Sequence, residues 1–160
     1  MPIDNESYEL ASSPIELDRL VLIVTGAHLR AESGDRPLAY RLRESMLDWR
    51  DRNTDDDPPF DVLVVSDVWY LNNEELQSLP VISIGGPGVN ALSANLGDQI
   101  PSAFVIENDL IVQVDLDFHD FRAVCWGMDH EATIRAVDAF TERYLESYLT
   151  EVVQKLDTTG

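Results

Sequence analysis

The stretch VISIGGPGVNAL, residues 81–92, decides the fold that this sequence predicts. A short β-branched run, Val81 to Ile84, leads directly into the turn Gly85-Gly86-Pro87-Gly88. Apolar side chains then recur at helical spacing, at Val89, Leu92 and Leu96. This order predicts a strand, a glycine turn and a helix. Such a turn can leave backbone N–H groups free at a helix N-terminus, where the helix dipole also favours a negative ligand group.

Three further apolar runs predict strands around this unit. Residues 19–26 (RLVLIVTG) and 61–67 (DVLVVSD) are nearly continuous in apolar side chains. That pattern is typical of strands buried on both faces of a parallel sheet. Residues 122–127 (RAVCWG) predict a last short strand.

Helical patterns separate these strands. Asp35 is predicted to cap the first helix, with Pro37 in its first turn. The apolar stripe of that helix consists of Leu38, Leu42, Met46 and Trp49. A short helix is predicted from near Asn73 to Pro80, and Asp129 is predicted to cap one long final helix. The apolar face of the final helix consists of Ile134, Val137, Phe140, Tyr144, Tyr148 and Val152.

Residues 102–121 have a different pattern. Two strand-like runs flank Asn108-Asp109, a dipeptide suited to a tight hairpin turn. In the second run, every other residue from 112 to 118 is apolar and the residues between them are polar, which predicts a strand with one exposed face. The whole order predicts an α/β fold: a three-layer sandwich with a mostly parallel, Rossmann-like or flavodoxin-like sheet and a peripheral antiparallel hairpin. Residues 19–156 are expected to form this single domain, and residues 1–18 an irregular N-terminal arm.

Composition and charge limit the classes of function. The formal net charge is −19, from 30 Asp and Glu against 11 Lys and Arg, so most of the surface should repel a nucleic acid. No apolar run is long enough to span a bilayer, and the first ten residues lack the pattern of a secretory signal. We therefore expect a cytoplasmic protein that binds neither nucleic acid nor membranes. The sequence carries no signature of the oligomeric state.

The predicted sheet places a candidate ligand site at the carboxyl ends of its parallel strands, where open α/β sheets bind ligands. The glycine turn supplies one side of this site: Gly85, Gly86, Gly88 and Asn90. The loop after the first strand supplies the other side: Gly26, His28, Arg30, Ser33 and Arg36. Asp67 is the best placed acid, as a general base or as an acceptor for a ribose hydroxyl.

These groups also have structural interpretations. The glycine turn matches neither the P-loop nor G-x-G-x-x-G, and a sharp turn from strand to helix needs glycines for backbone room alone. Arg30 and Arg36 could pair with the nearby Glu32 or Asp35 in weak surface salt bridges.

One short segment has the residue order of a phosphate-binding loop. Residues 26–39 (GAHLRAESGDRPLA) resemble the first such loop of the NADPH-dependent FMN reductases, which often runs G-S-x-R-x-x-S-x-x-R-x-L-A. The usual serine after the glycine is absent, one extra residue precedes Arg30, and the family's later P-x-Y-N segment has no counterpart. The matching residues are Gly26, Arg30, Ser33, Arg36, Leu38 and Ala39. The resemblance implies a flavodoxin-like fold that holds a phosphate through Arg30, Ser33 and backbone amides, with FMN or NAD(P) as the candidate cofactor.

A second resemblance points to another class of function. Within residues 81–96 a β-branched strand ends in G-G-P-x-x-N, and a G-x-x-x-x-x-T segment follows near the C-terminus. This arrangement is similar to repeats of some microbial surface-layer proteins. The matching residues are Gly85, Gly86, Pro87, Asn90, Gly127 and Thr133. The resemblance implies a non-catalytic structural or protein-interaction domain, in which side chains fill the edge of the sheet.

Two further groups of residues have a chemical and a simpler interpretation. Asp115, Asp117 and His119 share one predicted strand face, and two carboxylates with an imidazole can hold a divalent metal. A solvated strand face is the favoured explanation, because ligands on one flat strand seldom converge on a metal, so no metal site is predicted. The single cysteine, Cys125, excludes an intramolecular disulfide. It lies in an apolar strand, where a free cysteine usually acts as a small buried hydrophobic residue. As a nucleophile it would need a base such as His28 or His130, both of which are predicted at the strand ends.

The sequence thus favours a small anionic ligand, a nucleotide or a flavin, at the strand ends. The structural or interaction domain is the alternative. Catalytic residues, and whether the protein is an enzyme at all, are left open.

Overall fold

A computed structural model describes residues 17–55, 57–117 and 119–159 of the chain. They form an α/β fold around a mixed six-stranded sheet with the order β2-β1-β3-β6-β5-β4. The strands are β1 (Leu20–Thr25), β2 (Asp61–Ser66), β3 (Val81–Ile84), β4 (Ser102–Ile106), β5 (Leu110–Val114) and β6 (Arg122–Gly127). Most of the predicted N-terminal arm, residues 1–16, lies outside the described residues.

Four of the six strands run parallel, as the apolar runs predict. β1 pairs with β2 and β3, and β3 pairs with β6, all in parallel register. Every residue of β1 and β3 is buried, because both strands lie inside the sheet and are covered on both faces. The carboxyl ends of these four strands therefore meet at one edge of the sheet.

The helices cover both faces of the sheet. They are α1 (Arg36–Asn53), α2 (Asp67–Leu71), α3 (Ala91–Leu96), α4 (His130–Arg143) and α5 (Leu145–Thr159). One apolar core joins the sheet to α1, α4 and α5, and the other joins it to α2 and α3. Alternate residues of β1 enter the two cores, with Val21 and Ile23 in the first and Leu22 and Val24 in the second.

No described helix combines the length and the apolar character that a membrane span requires.

Three helix boundaries differ from the prediction. A turn of π-helix, Ala31–Asp35, precedes α1, so Asp35 is already helical and its side chain does not cap the helix. The predicted helix near residues 73–80 is a 3₁₀ segment, Glu74–Ser78, and α2 starts earlier because the Ser66 hydroxyl accepts the N–H of Trp69. The long final helix is divided at Tyr144, whose φ of −127° interrupts the helical backbone.

The predicted hairpin is present, but its second strand is more buried than its alternation suggests. Asn108 forms the turn with a φ of +63°. Gln113 is buried, and its amide donates hydrogen bonds to the carbonyl oxygens of Gly97 and Ile100. The strand ends at Val114, because the Asp115 carboxylate accepts N–H groups from residues 117, 119 and 120 and turns the chain. The predicted exposed face from 112 to 119 is therefore not formed.

One buried carboxylate ties the loops at the carboxyl ends of the strands together. Asp67 is 5% exposed, and its Oδ1 accepts the N–H groups of Ala27 (3.0 Å) and Val68 (2.7 Å). Its Oδ2 accepts the N–H of Ala91 at 2.7 Å. Asp67 thus links the loop after β1, the start of α2 and the start of α3 through charge-assisted hydrogen bonds.

A buried amide adds a second link at the same edge. The Asn90 side-chain oxygen accepts the N–H groups of Leu92 and Ser93 and so caps α3. Its Nδ2 donates to the carbonyl oxygens of Val24 and Ile84, at the ends of β1 and β3.

We expect Asp67→Asn to destabilise the fold by about 3 kcal/mol, since an amide NH₂ would face a backbone N–H that now has a carboxylate acceptor. Asp98→Asn, which removes an exposed carboxylate, is the matched control and should change stability by less than about 0.5 kcal/mol. Urea denaturation at pH 7 measures both. Equal stabilities of the two variants would contradict the role given to Asp67.

Candidate functional site

A cavity of about 700 Å³ opens at the carboxyl ends of β1, β3 and β6. Its walls come from residues 30–35 after β1, residues 86–89 after β3, and residues 126–133, where β6 passes into α4. The cavity therefore lies at the edge where open α/β sheets bind ligands, beside the point at which the strand order reverses.

The two loops predicted to flank the site are in direct contact. A methyl group on Gly26 would overlap the carbonyl oxygen of Val89, so the loop after β1 and the loop after β3 pack backbone to backbone there. The cavity is lined by the residues that follow on the first segment, by the loop after β3 and by the start of α4.

The Asp35 carboxyl group is the buried acid of the cavity. The residue is 8% exposed, yet its carboxylate has no hydrogen-bond or ion-pair partner within residues 17–55, 57–117 and 119–159. Burial raises the pKa of Asp35 above its ordinary value of 3.8, and the charge of His130 opposes that rise in part. A methyl group on Gly85, whose φ is +109°, would lie 2.6 Å from Asp35 Oδ2.

Two other cavity side chains also pack against glycines. A methyl group on Gly34 would lie 2.9 Å from Nδ1 of His130, and one on Gly86 would lie 2.9 Å from Cε3 of the half-buried Trp126. The absence of a Cβ at these positions lets the imidazole and the indole lie directly on the backbone of the opposite segments.

Positive groups without partners line the same cavity. The Arg30 side chain is exposed, and its guanidinium has no acceptor among the residues that the structure describes. Asp129 caps α4 by accepting the N–H of Ala132 at 2.8 Å. The N–H group of His130, which lines the cavity at the first position of this helix of 14 residues, has no acceptor in the described part of the chain, and neither has the N–H of the next residue, Glu131. The positive end of the helix dipole adds to their effect.

The predicted site residues divide into three groups. Arg30, Ser33, Gly86 and Gly88 line the cavity. Gly26 and Gly85 support its walls from outside through the close approaches described above.

The remaining predicted residues are engaged elsewhere. The exposed His28 accepts the N–H of Arg30 at its Nδ1, and the Arg36 guanidinium lies 5.6 Å from the centre of the Tyr40 ring. Both oxygens of Asp67 accept backbone N–H groups, as does the oxygen of Asn90. The last two residues therefore position the loops.

The other chemical candidates of the sequence also have structural roles. Cys125 is fully buried, and burial raises the pKa of its thiol far above the ordinary value, so the thiolate of a nucleophile is not formed. Asp115 uses its carboxylate to hold backbone N–H groups. Among the described residues, no three His, Cys, Asp or Glu side chains are grouped so as to hold a metal ion.

Sequence reasoning missed Asp35 and Trp126 as cavity residues. Asp35 was predicted to cap α1, an assignment that its position before Arg36-Pro37 suggests. Trp126 was part of a strand pattern, although a large aromatic at the last position but one of a parallel strand lies at the ligand edge. The position of Trp126 near the end of this strand could therefore have identified it as a cavity residue from the sequence.

Comparison of the chain with known protein families and with curated proteins finds no match. The resemblances to the FMN reductases and to surface-layer repeats remain predictions that depend on the residues quoted for them.

The raised pKa of Asp35 predicts a specific pH dependence of stability. Since the native state holds this proton more tightly than the unfolded state, the contribution of Asp35 to stability is fully present below pH 3.8 and is lost as the pH rises through the native pKa of this group. We therefore expect Asp35→Asn to be more stable than the wild type at pH 7.5, and the difference to shrink toward pH 4. Urea denaturation across this pH range, with Asp98→Asn as the control for overall charge, measures the effect. A difference that is independent of pH would contradict it.

Proposed function

We propose that the cavity binds a small anionic ligand and that a nucleotide or a flavin is the class it accommodates. The observation that carries this proposal is that two electropositive groups without partners, the Arg30 guanidinium and the His130 N–H at the start of α4, belong to residues lining one cavity at the strand ends. Its volume, about 700 Å³, lies within the range of small-molecule sites.

Arg30 is a positive group that the described chain does not neutralise. The protein carries a net charge of −19, so carboxylates are available to pair with most of its arginines. Arg41, Arg50, Arg52 and Arg135 all form such salt bridges. Arg30 instead leaves its guanidinium open to the cavity. A phosphate there would gain charge-assisted hydrogen bonds from Arg30 and from the helix amides.

The apolar part of the cavity supports a ligand with a planar ring. Trp126, Pro87, Val89 and Met128 line it together with the polar groups. Met128 is 68% exposed, so an apolar surface is available at the opening. An aromatic ring packed against Trp126 would gain stacking and apolar burial that a bare phosphate cannot. Nucleotides and flavins combine such a ring with a phosphate.

The strand order also supports this class. Four parallel strands in the order β2-β1-β3-β6 correspond to a Rossmann-like or flavodoxin-like sheet, which we propose as the finer description of the fold. The alternative, a structural or interaction domain, predicts an edge filled by side chains. The open cavity over Gly86 favours ligand binding over that alternative.

Ligand binding is tested by thermal shift and calorimetry with ADP, NADP⁺ and FMN at millimolar concentration. We expect at least one of them to raise the melting temperature, because a ligand at 100 times its Kd stabilises the native state by about 2.7 kcal/mol. Arg30→Ala should weaken that binding about tenfold or more. Arg52→Ala removes the same charge at the far end of α1 and is the matched control.

Two results would contradict the proposal. One is the absence of stabilisation by all three compounds. The other is binding that Arg30→Ala and Arg52→Ala weaken equally, since that would indicate a nonspecific effect of charge.

A further inference from the structure

The anion site proposed above leaves one cavity group without a role. Asp35 is more than nine-tenths buried, lines the cavity, and has no hydrogen-bond or ion-pair partner among the described residues. Because its oxygens have no partner and yet are not among the polar side-chain atoms sealed from solvent, they are accessible from the cavity. The carboxylate can therefore accept hydrogen bonds from a bound molecule, since the described chain supplies no donor to it.

The surroundings of Asp35 keep this acceptor in a fixed position. Gly85 packs against its Oδ2 from the loop after β3, and the π-helical turn that contains Asp35 continues directly into α1. The charged group that acts on it is His130, from the start of α4. A rigid, preorganised acceptor loses little entropy when a ligand donor binds to it.

Asp35 cannot receive the anionic part of a ligand, because two negative groups would repel each other. It must therefore contact another part of the same molecule, one that offers O–H or N–H donors. An amino acid would supply an ammonium group, but it would leave most of the 700 Å³ empty and the Trp126 wall uncovered. A phosphate ester of a sugar or polyol with an attached ring supplies all three: an anion, hydroxyl donors and a planar surface.

We propose that Asp35 is the specificity residue of the cavity and accepts hydrogen bonds from the hydroxyl groups of a ribose or ribityl phosphate. This inference rests on the proposed function and adds the part of the ligand that the anion site does not recognise. A site with a buried acceptor rejects analogues that lack the matching hydroxyl, because the acceptor is then left unpaired in the complex.

The experiment compares ligand pairs that differ only in their hydroxyl groups. ADP is paired with 2′,3′-dideoxy-ADP, and FMN with a flavin phosphate whose five-carbon chain carries no hydroxyls. Calorimetry at pH 7.5 should show that the wild type binds the hydroxylated member of at least one pair about tenfold or more tightly. The pair that shows this preference distinguishes a ribose from a ribityl ligand.

Variants assign the preference to Asp35. Asp35→Ala should bind both members of the pair with equal affinity, whereas Arg30→Ala should weaken both members and keep the preference. If Asp35→Ala does not fold, Asp35→Asn preserves the shape of the side chain and should reduce the preference.

The outcomes separate this inference from the proposed function. If a hydroxylated compound binds and neither pair shows a preference for its hydroxylated member, the role of Asp35 is overturned and the anion site is left standing. A preference that persists in Asp35→Ala, or undiminished in Asp35→Asn, also overturns it. No binding of any of these four compounds or of NADP⁺ overturns both proposals.

Discussion

The Asp67 carboxylate is the interaction on which the ligand edge of this protein depends. Its two oxygens hold N–H groups from the loop after β1, the start of α2 and the start of α3. These segments are far apart in the chain and belong to different parts of the sheet. A parallel sheet brings strand ends to one edge, but it does not fix the loops that follow them. The buried carboxylate does so, and the Asn90 amide repeats the same device between β1 and β3.

Two buried aspartates at this end of the sheet have different roles because their surroundings differ. Asp67 and Asp35 are both buried, at 5% and 8% exposure. Asp67 accepts three backbone N–H groups, which satisfy its charge within the chain. Asp35 accepts none from the described residues and faces the cavity, so burial raises its pKa. A satisfied carboxylate stabilises a fold, whereas an unsatisfied one in a cavity wall points to an external partner.

The sequence predicted the strands more accurately than the helix boundaries. It also indicated the end of the sheet at which the cavity lies more accurately than the residues that line the cavity. The runs at β1 and β3 were recognisable because strands buried on both faces are continuously apolar, whereas β2 is the outer strand of the sheet and is only partly buried. The same reasoning wrongly placed Gln113 on an exposed face. Its amide is buried and donates to two carbonyl oxygens, and the sequence pattern does not distinguish such a residue from an exposed polar one. For a similar reason, Asp67 was predicted as the acid of the site, whereas the acid that lines the cavity is Asp35. Asp35 immediately precedes α1 and Asp67 is the first residue of α2, so the sequence gives both the same local setting. Only tertiary contacts decide which of the two carboxylates accepts backbone N–H groups.

The central claim is that an anionic ligand binds between the segment after β1 and the start of α4. An NMR titration of ¹⁵N-labelled protein with ADP and with FMN tests it most directly, because each backbone amide reports its own surroundings. We expect saturable shifts confined to residues 30–35, 86–89 and 126–133, with the amides of His130 and Glu131 among the largest. Saturable shifts centred elsewhere, for example on residues 99–101 and 115–122, or no shifts with either ligand, would contradict it.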